Sequence, residues 1–191
     1  SSQEILYQYK QLAKTAGLVA RNQGNIQSAF KKNNANIITA NYEFPYLAHA
    51  ALEPMNCVIQ LAKDSCELWY GAQIPSLDAR VVADITGLSV DKIKINTVYA
   101  GGSFGRRANP QSDYVAEAAN IAKHADTSAA IKMIWTREDD MHAGYYRPLN
   151  YHQLTASHDG KGNITAWHHR IVGQSIMKGT GFEAGLISNG I

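Results

Sequence analysis

An α+β fold, with mixed sheets and helices packed on them, is predicted from three observations. Beyond residue 36, short runs with two-residue alternation interleave with longer runs at helical spacing. These runs are mixed without strict strand–helix–strand alternation, which argues for α+β. The tail carries two alternating segments, Tyr151 to Ser157 and Ile164 to Val172, around Asp159-Gly160-Lys161-Gly162, as in a hairpin.

The elements follow in order. Ser1 and Glu4 have capping-box spacing, and Ile5, Tyr9, Leu12 and Ala13 then mark one side of a short amphipathic helix. Residues 21–36 are polar and rich in Asn, Gln and Lys, with one or two helical turns around Ile26 to Phe30, so residues 1–36 read as a helix plus a connecting region. Residues 37–191 form the α+β body. Ile37 to Phe44, Met55 to Leu61 and Glu67 to Gly71 suit strands. Ser76 is placed to cap a helix whose Leu77, Val81, Ile85 and Leu88 recur at helical spacing, with Gly87 near its end. Lys92 to Tyr99 alternates as a strand with one wet face. Asn109 as N-cap and Pro110 as first helical residue would open a helix burying Val115, Ala118, Ala119 and Ala122. Ile131 to Trp135 is a short apolar strand, and Thr136 to Met141 a charged helical turn.

Composition narrows the function. At 45% hydrophobic and 18% charged, the 191 residues can bury a sizeable core. A formal charge of +2, with no basic tract interleaved with aromatics, gives no footprint for nucleic acid. No apolar run is long enough to span a bilayer. Cys57 and Cys66 fall on neighbouring strands but not directly opposite, so a disulfide is not favoured, and two cysteines cannot ligate an iron–sulfur cluster.

The run Gly101-Gly102-Ser103-Phe104-Gly105-Arg106-Arg107 places naked backbone and positive charge between a strand and a helix. Glycines remove the Cβ that keeps a ligand away, and a helix start favours negative charge. The spacing matches neither the dinucleotide fingerprint nor the phosphate-binding P-loop. Two readings stay open: a backbone that a bulky anion approaches, or a tight turn. Arg147, between Gly144-Tyr145-Tyr146 and Pro148, is either held rigidly for a substrate carbonyl or carboxylate, or stacked on Tyr145 or Tyr146.

Other chemistries find less support. The seven histidines lack metal-ligand spacing, and His168-His169 in a strand would point to opposite faces, so no protein-ligated metal is expected. There is no nucleophile elbow around Ser103. Glu138, Asp139 and Asp140 suit a helix N-terminal turn better than an acid–base pair.

Several segments in order resemble one family: Tyr42-Glu43-Phe44-Pro45-Tyr46-Leu47-Ala48-His49, Leu52-Glu53-Pro54-Met55-Asn56, Gly101 to Arg107, Thr136 to Met141, Gly144 to Pro148, and Val172-Gly173-Gln174-Ser175-Ile176. Together they resemble the molybdopterin-binding large subunit of the xanthine dehydrogenase and aldehyde oxidase family, in its isoquinoline 1-oxidoreductase β-subunit branch. The resemblance implies that residues 37–191 are part of a molybdopterin-binding domain. It also implies a molybdenum hydroxylase that oxidises an aldehyde or N-heterocycle with oxygen from water. The cofactor would be molybdopterin, in its cytosine dinucleotide form, which holds the metal without protein ligands.

By the same resemblance, Gly102, Ser103, Phe104, Gly105 and Arg106 would contact the cofactor, with Gln73 at a nearby strand end. Phe104 would lie beside the substrate and Arg147 would orient it. The partner would be a small [2Fe–2S] subunit. The general-base glutamate is expected downstream of this chain, which alone would be inactive. Leu47 and Ala108 replace a glutamine and a glutamate of the xanthine dehydrogenase branch, which speaks against a purine substrate. Ser103 replaces a glycine, which requires that its φ not be strongly positive. The alternative is a non-catalytic binding module that uses the Gly101 to Arg107 loop for a phosphate-bearing ligand or an acidic partner.

Overall fold

The computed structural model describes residues 1–32 and 36–188; residues 33–35 of the polar connecting region and 189–191 of the body lie outside the described residues. The elements are α1 (Ser2–Leu12), α2 (Ile26–Lys32), β1 (Ile37–Phe44), β2 (Asn56–Leu61), β3 (Cys66–Tyr70), α3 (Pro75–Thr86), β4 (Ile93–Thr97), α4 (Asp113–His124), β5 (Ile131–Ile134), α5 (Arg137–His142), β6 (Asn150–His158), β7 (Ile164–Gly173) and α6 (Glu183–Leu186). The fold is α+β. The chain divides into one unit of residues 1–47 and 147–191 and a second of residues 48–146. Residues 1–36, a segment of their own by composition, fall in the same unit as β1, β6 and β7.

In the first unit β1, β6 and β7 form an antiparallel sheet in that order. The capping box of Ser1 and Glu4 starts α1 as the sequence predicts. The helix then lies on one face of the sheet, where Lys10 pairs with Glu43 at 2.6 Å and the Arg170 guanidinium donates to the Ala13 carbonyl. On the other face Ile38, Tyr42, Phe44, Trp167 and Ile171 stay exposed. His152 and His169 sit among them, joined by a ring nitrogen contact of 2.9 Å. Burial and the neighbouring His169 hold His152 below the ordinary histidine range.

The second unit is built on a mixed sheet ordered β4-β3-β2-β5, in which β3 and β4 run parallel and the other pairs antiparallel. The parallel pair is joined through α3, so one strand–helix–strand crossover sits inside the α+β architecture. Met55, Cys57, Ile59, Leu68, Tyr70, Val82, Tyr114, Val115 and Met133 form the core. The predicted apolar face of α4 is the buried one: Val115, Ala118, Ala119 and Ala122 lie against the core, and the alanines let the helix approach the sheet closely. Cys57 faces Met133 across the sheet and Cys66 faces Leu61; both thiols are free and buried. Burial is the main cause that pushes the Cys57 thiol up to about 12 and the Cys66 thiol up to about 11.

Two helix starts differ from the sequence reading. The third helix begins at Pro75 rather than at a Ser76 cap, and it buries Asp78, Val82 and Ala83, with Ile85 and Leu88 at the core's edge. Pro75 takes the first helical position, and the Ile74 carbonyl accepts from the Leu77 and Asp78 N–H groups at 3.0 and 3.1 Å. The buried face is set by Asp78, whose carboxylate accepts a hydrogen bond from the Tyr70 hydroxyl at 2.6 Å and another from the Ser112 hydroxyl at 2.6 Å. A carboxylate thus points inward, satisfied from β3 and from the start of α4. Burial still raises its pKa, against the opposing effect of the two donors.

The fourth helix begins at Asp113, not at Asn109-Pro110. The Asn109 side chain instead accepts from the Gln111 N–H at 2.8 Å, closing a local turn, and Ser112 takes φ +51° before the helix. The glycine loop therefore does not run directly into a helix N-terminus. A helix dipole therefore does not favour negative charge at the glycines themselves.

Candidate functional site

The loop from Tyr99 to Ser112 leaves β4 at the exposed end of the mixed sheet, and its shape is set by close approach. A Cβ on Gly101 would lie 2.6 Å from the Glu53 Cβ, and one on Gly71 would lie 2.5 Å from the Ala100 Cβ. Both positions therefore demand glycine. The Gly101 N–H donates to the Glu53 carboxylate, and the Glu53 N–H donates back to the Gly101 carbonyl at 3.1 Å. Asn56 donates to the other Glu53 oxygen at 2.8 Å, and Arg107 reaches the first at 3.3 Å. The Gly101 N–H above all, then Asn56 and Arg107, holds the Glu53 carboxyl below the usual range against a smaller opposing effect of burial.

Positive charge in this loop is turned inward. Arg106 is 4% exposed and makes a two-pronged pair with Asp113, at 3.2 and 2.6 Å, with its guanidinium 5.5 Å from the ring centres of both Trp135 and Tyr145. The arginine over Tyr145 is thus Arg106. Arg107 is 2% exposed, pairs with Glu53, donates to the Gly102 carbonyl at 3.4 Å and lies 5.9 Å from the Tyr114 ring centre. The sequence reading of naked backbone together with available positive charge is corrected in its second half: both guanidinium groups support the loop from beneath.

The backbone half of the reading has a physical counterpart. Gly102 and Gly105 have φ of +98° and +93°, and Phe104 takes φ +52°. Ser103 keeps its φ out of the positive region, so the serine stands in a glycine's place without strain. Its hydroxyl donates to the Gln73 side-chain amide oxygen and accepts from the Arg107 N–H at 3.1 Å, tying the loop to the segment that follows β3. Gly101, Gly102, Phe104 and Gly105 are exposed. The N–H groups of Gly102, Ser103, Phe104 and Gly105 donate to no partner among the described residues. A Cβ on Gly105 would meet nothing within 4 Å, so this side of the loop is open space. A run of unpaired donors on a rigid backbone suits an extended, electron-rich ligand.

The remaining candidates are placed as follows. Gln73 is exposed and joined to Ser103. Phe104 is 74% exposed, which leaves its ring free to face a ligand. Arg147 belongs to the other unit; its backbone bridges Leu47 through hydrogen bonds of 2.9 and 3.4 Å, and its exposed guanidinium has no partner among the described residues. Glu138, Asp139 and Asp140 start α5: Asp139 forms a capping box with Thr136, and Asp140 pairs with Arg137 at 2.6 Å. Glu53 is the residue that the sequence reading quoted in a motif without assigning it a role. Only the fold brings it from residue 53 to the glycine loop.

Among the described residues no group of three or more His, Cys, Asp or Glu side chains is gathered around a possible metal position. No helix among them is long and apolar enough to cross a membrane.

Comparison with known proteins shows the family to which the chain belongs. The model of the molybdopterin cofactor-binding domain family matches residues 10–183. The chain is 32% identical over 124 residues to the isoquinoline 1-oxidoreductase subunit beta of Brevundimonas diminuta, covering 64% of this chain and 15% of that protein. It is 27% identical over 157 residues to a membrane-bound aldehyde dehydrogenase (pyrroloquinoline-quinone) of Gluconacetobacter polyoxogenes, covering 82% and 20%. Its fold resembles that of quinoline 2-oxidoreductase from Pseudomonas putida 86, with a TM-score of 0.59 at 17% identity over 83% of this chain and 20% of that one. The chain therefore spans between 15% and 20% of the length of the curated relatives named here.

Proposed function

From the premise that the chain belongs to the molybdopterin cofactor-binding domain family, we propose that it forms one wall of the cofactor site in the large subunit of a molybdenum hydroxylase. The substrate class is an aldehyde or an N-heterocycle, in keeping with the names of its relatives. The observation that carries this reading is the run of N–H groups from Gly102 to Gly105 that have no acceptor among the described residues, on a loop whose Gly102, Phe104 and Gly105 are exposed. When bound, the molybdenum–pterin group supplies two-electron oxidation with oxygen taken from water.

This chain's own residues supply position and polarity. The N–H groups of Gly102, Ser103, Phe104 and Gly105 hold the cofactor, and because they are fixed before binding they cost little reorganisation. Gln73 adds an exposed side-chain amide beside Ser103. Arg106 contributes through the loop's geometry, since its guanidinium is engaged by Asp113. Phe104 presents an apolar edge to the substrate. The substrate-orienting role of Arg147, donation to a carbonyl or carboxylate, rests on the family resemblance alone. Glu53 is not the proton acceptor: its carboxylate is engaged by Gly101, Asn56 and Arg107. By the family resemblance, the general base lies outside these 191 residues, so the chain alone is expected to be inactive. The cofactor is the cytosine dinucleotide form, and electrons leave through a small [2Fe–2S] subunit.

The reading as a phosphate-binding module is weaker, because both loop arginines are buried and paired. Metal and nucleotide analysis of the whole protein, purified with its neighbouring subunit, tests the proposal. Molybdenum, iron and released cytosine nucleotide are expected together. A complex that is loaded with quinone and free of molybdenum would overturn it.

A further inference from the structure

The open face of the β1-β6-β7 sheet carries a pair of histidines that no part of the proposed function uses. His152 on β6 and His169 on β7 are diagonal neighbours: His152 stands opposite Ile171 and His169 opposite Leu154. Their side chains therefore leave the same face and converge, with His152 Nδ1 2.9 Å from His169 Nε2 and ring centres 5.0 Å apart. Phe44 packs edge-on against His152, its ring centre 5.0 Å away, which fixes the orientation of that imidazole. His168 points to the other face, as alternation requires.

We infer that His152 and His169 form a two-imidazole site for a borderline-soft divalent transition metal, with solvent completing the coordination. Metal–imidazole bonds of about 2.0–2.1 Å at right angles separate the two nitrogens by about 2.9 Å. The observed spacing thus matches the chelate without backbone movement, and each ring turns by roughly 45° from the hydrogen-bonded alignment to aim its nitrogen at one ion. At present the two nitrogens share one hydrogen bond, one ring donating and the other accepting, so an ion replaces a single proton between them. Among the described residues no strand position on this face carries a charged side chain: the neighbours in the sheet are Ile38, Tyr42, Phe44, Leu154, Trp167 and Ile171. Without a carboxylate the site offers nitrogen alone, which selects Cu(II), Ni(II) or Zn(II) over Mg(II) or Ca(II). A right-angle pair of nitrogens suits Cu(II) or Ni(II), and Cu(II) binds most strongly in the divalent series.

Titration of the chain with Cu(II), followed by calorimetry and electron paramagnetic resonance, tests the site. The expected result is one strongest site per chain with hyperfine coupling to two imidazole nitrogens. His152→Ala and His169→Ala should each weaken binding by about tenfold or more, while His168→Ala leaves it unchanged. The resonance signature of the unmodified chain keeps the inference testable even where a substituted chain folds poorly. A signal without two-nitrogen coupling, or affinity unchanged by both alanine substitutions, would overturn it.

Discussion

Gly101 and Glu53 hold each other through a reciprocal pair of hydrogen bonds, the glycine N–H to the carboxylate and the glutamate N–H to the glycine carbonyl at 3.1 Å. This latch joins two segments nearly fifty residues apart in sequence. It fixes the first residue of a loop whose next four N–H groups have no acceptor among the described residues.

Replacing Glu53 by Gln is expected to loosen the loop. Arg107 would lose its counter-charge while remaining buried, a loss that reaches 3–5 kcal/mol for fully enclosed pairs. Because the Glu53 side chain is 36% exposed, the expected cost is about 2 kcal/mol. Denaturant unfolding measures the cost, and faster amide exchange at Gly102 to Gly105 reports the loosening.

The same carboxylate predicts a pH dependence. Its folded pKa lies below the ordinary value of 4.5, so its stabilisation is complete well above 4.5. It begins to fall as pH drops through the value for the unfolded chain, and is lost once pH passes below the depressed folded value. Unfolding free energy measured from pH 7 to pH 3 should fall less steeply in Glu53→Gln than in the unmodified chain.

Arg106 and Arg147 should behave oppositely. Arg106→Ala leaves Asp113 without its partner and removes the guanidinium packed against Trp135 and Tyr145, so a loss of about 3 kcal/mol is expected. The exposed, unpaired Arg147 can be replaced by Ala within about 0.5 kcal/mol. In the whole enzyme, however, Arg147→Ala should lower kcat/KM by at least about a hundredfold. Thermal unfolding and steady-state kinetics on the two variants separate these roles.

The buried thiols should be inert in the native state. With pKa values near 12 and 11, Cys57 and Cys66 carry almost no thiolate at pH 8. Iodoacetamide labelling should therefore follow global unfolding rather than proceed directly. Labelling of native protein at the rate of an exposed thiol would contradict the core assignment.

Much of this was readable from residue pattern because local rules dominate where one face is buried. β1 has the predicted limits, Ile37 and Phe44, the predicted capping box at Ser1 starts α1, and the carboxylates after Thr136 form the first turn of α5. The alternation of β6 and β7 likewise sets their pairing. What failed was decided by distant partners. Asp78 turned inward because Tyr70 and Ser112 satisfy it, which rotated the face of α3. Ser112 and Asn109 moved the start of α4 to Asp113. At the site, Gly102 and Gly105 were legible from their residue type, but the inward turn of Arg106 and Arg107 was not. Their partners Asp113 and Glu53 are ordinary acids until the fold brings them close. Glu53 was invisible as a latch for the same reason.

The claim that the exposed backbone of the loop holds the cofactor is tested most directly by Gly105→Ala in the whole protein, with bound molybdenum as the readout. A Cβ there meets no protein atom, and the strain of φ +93° costs about 1–2 kcal/mol. The account predicts a folded protein with a slightly lower Tm and a molybdenum content reduced at least several-fold. A folded Gly105→Ala protein that retains full molybdenum would contradict it.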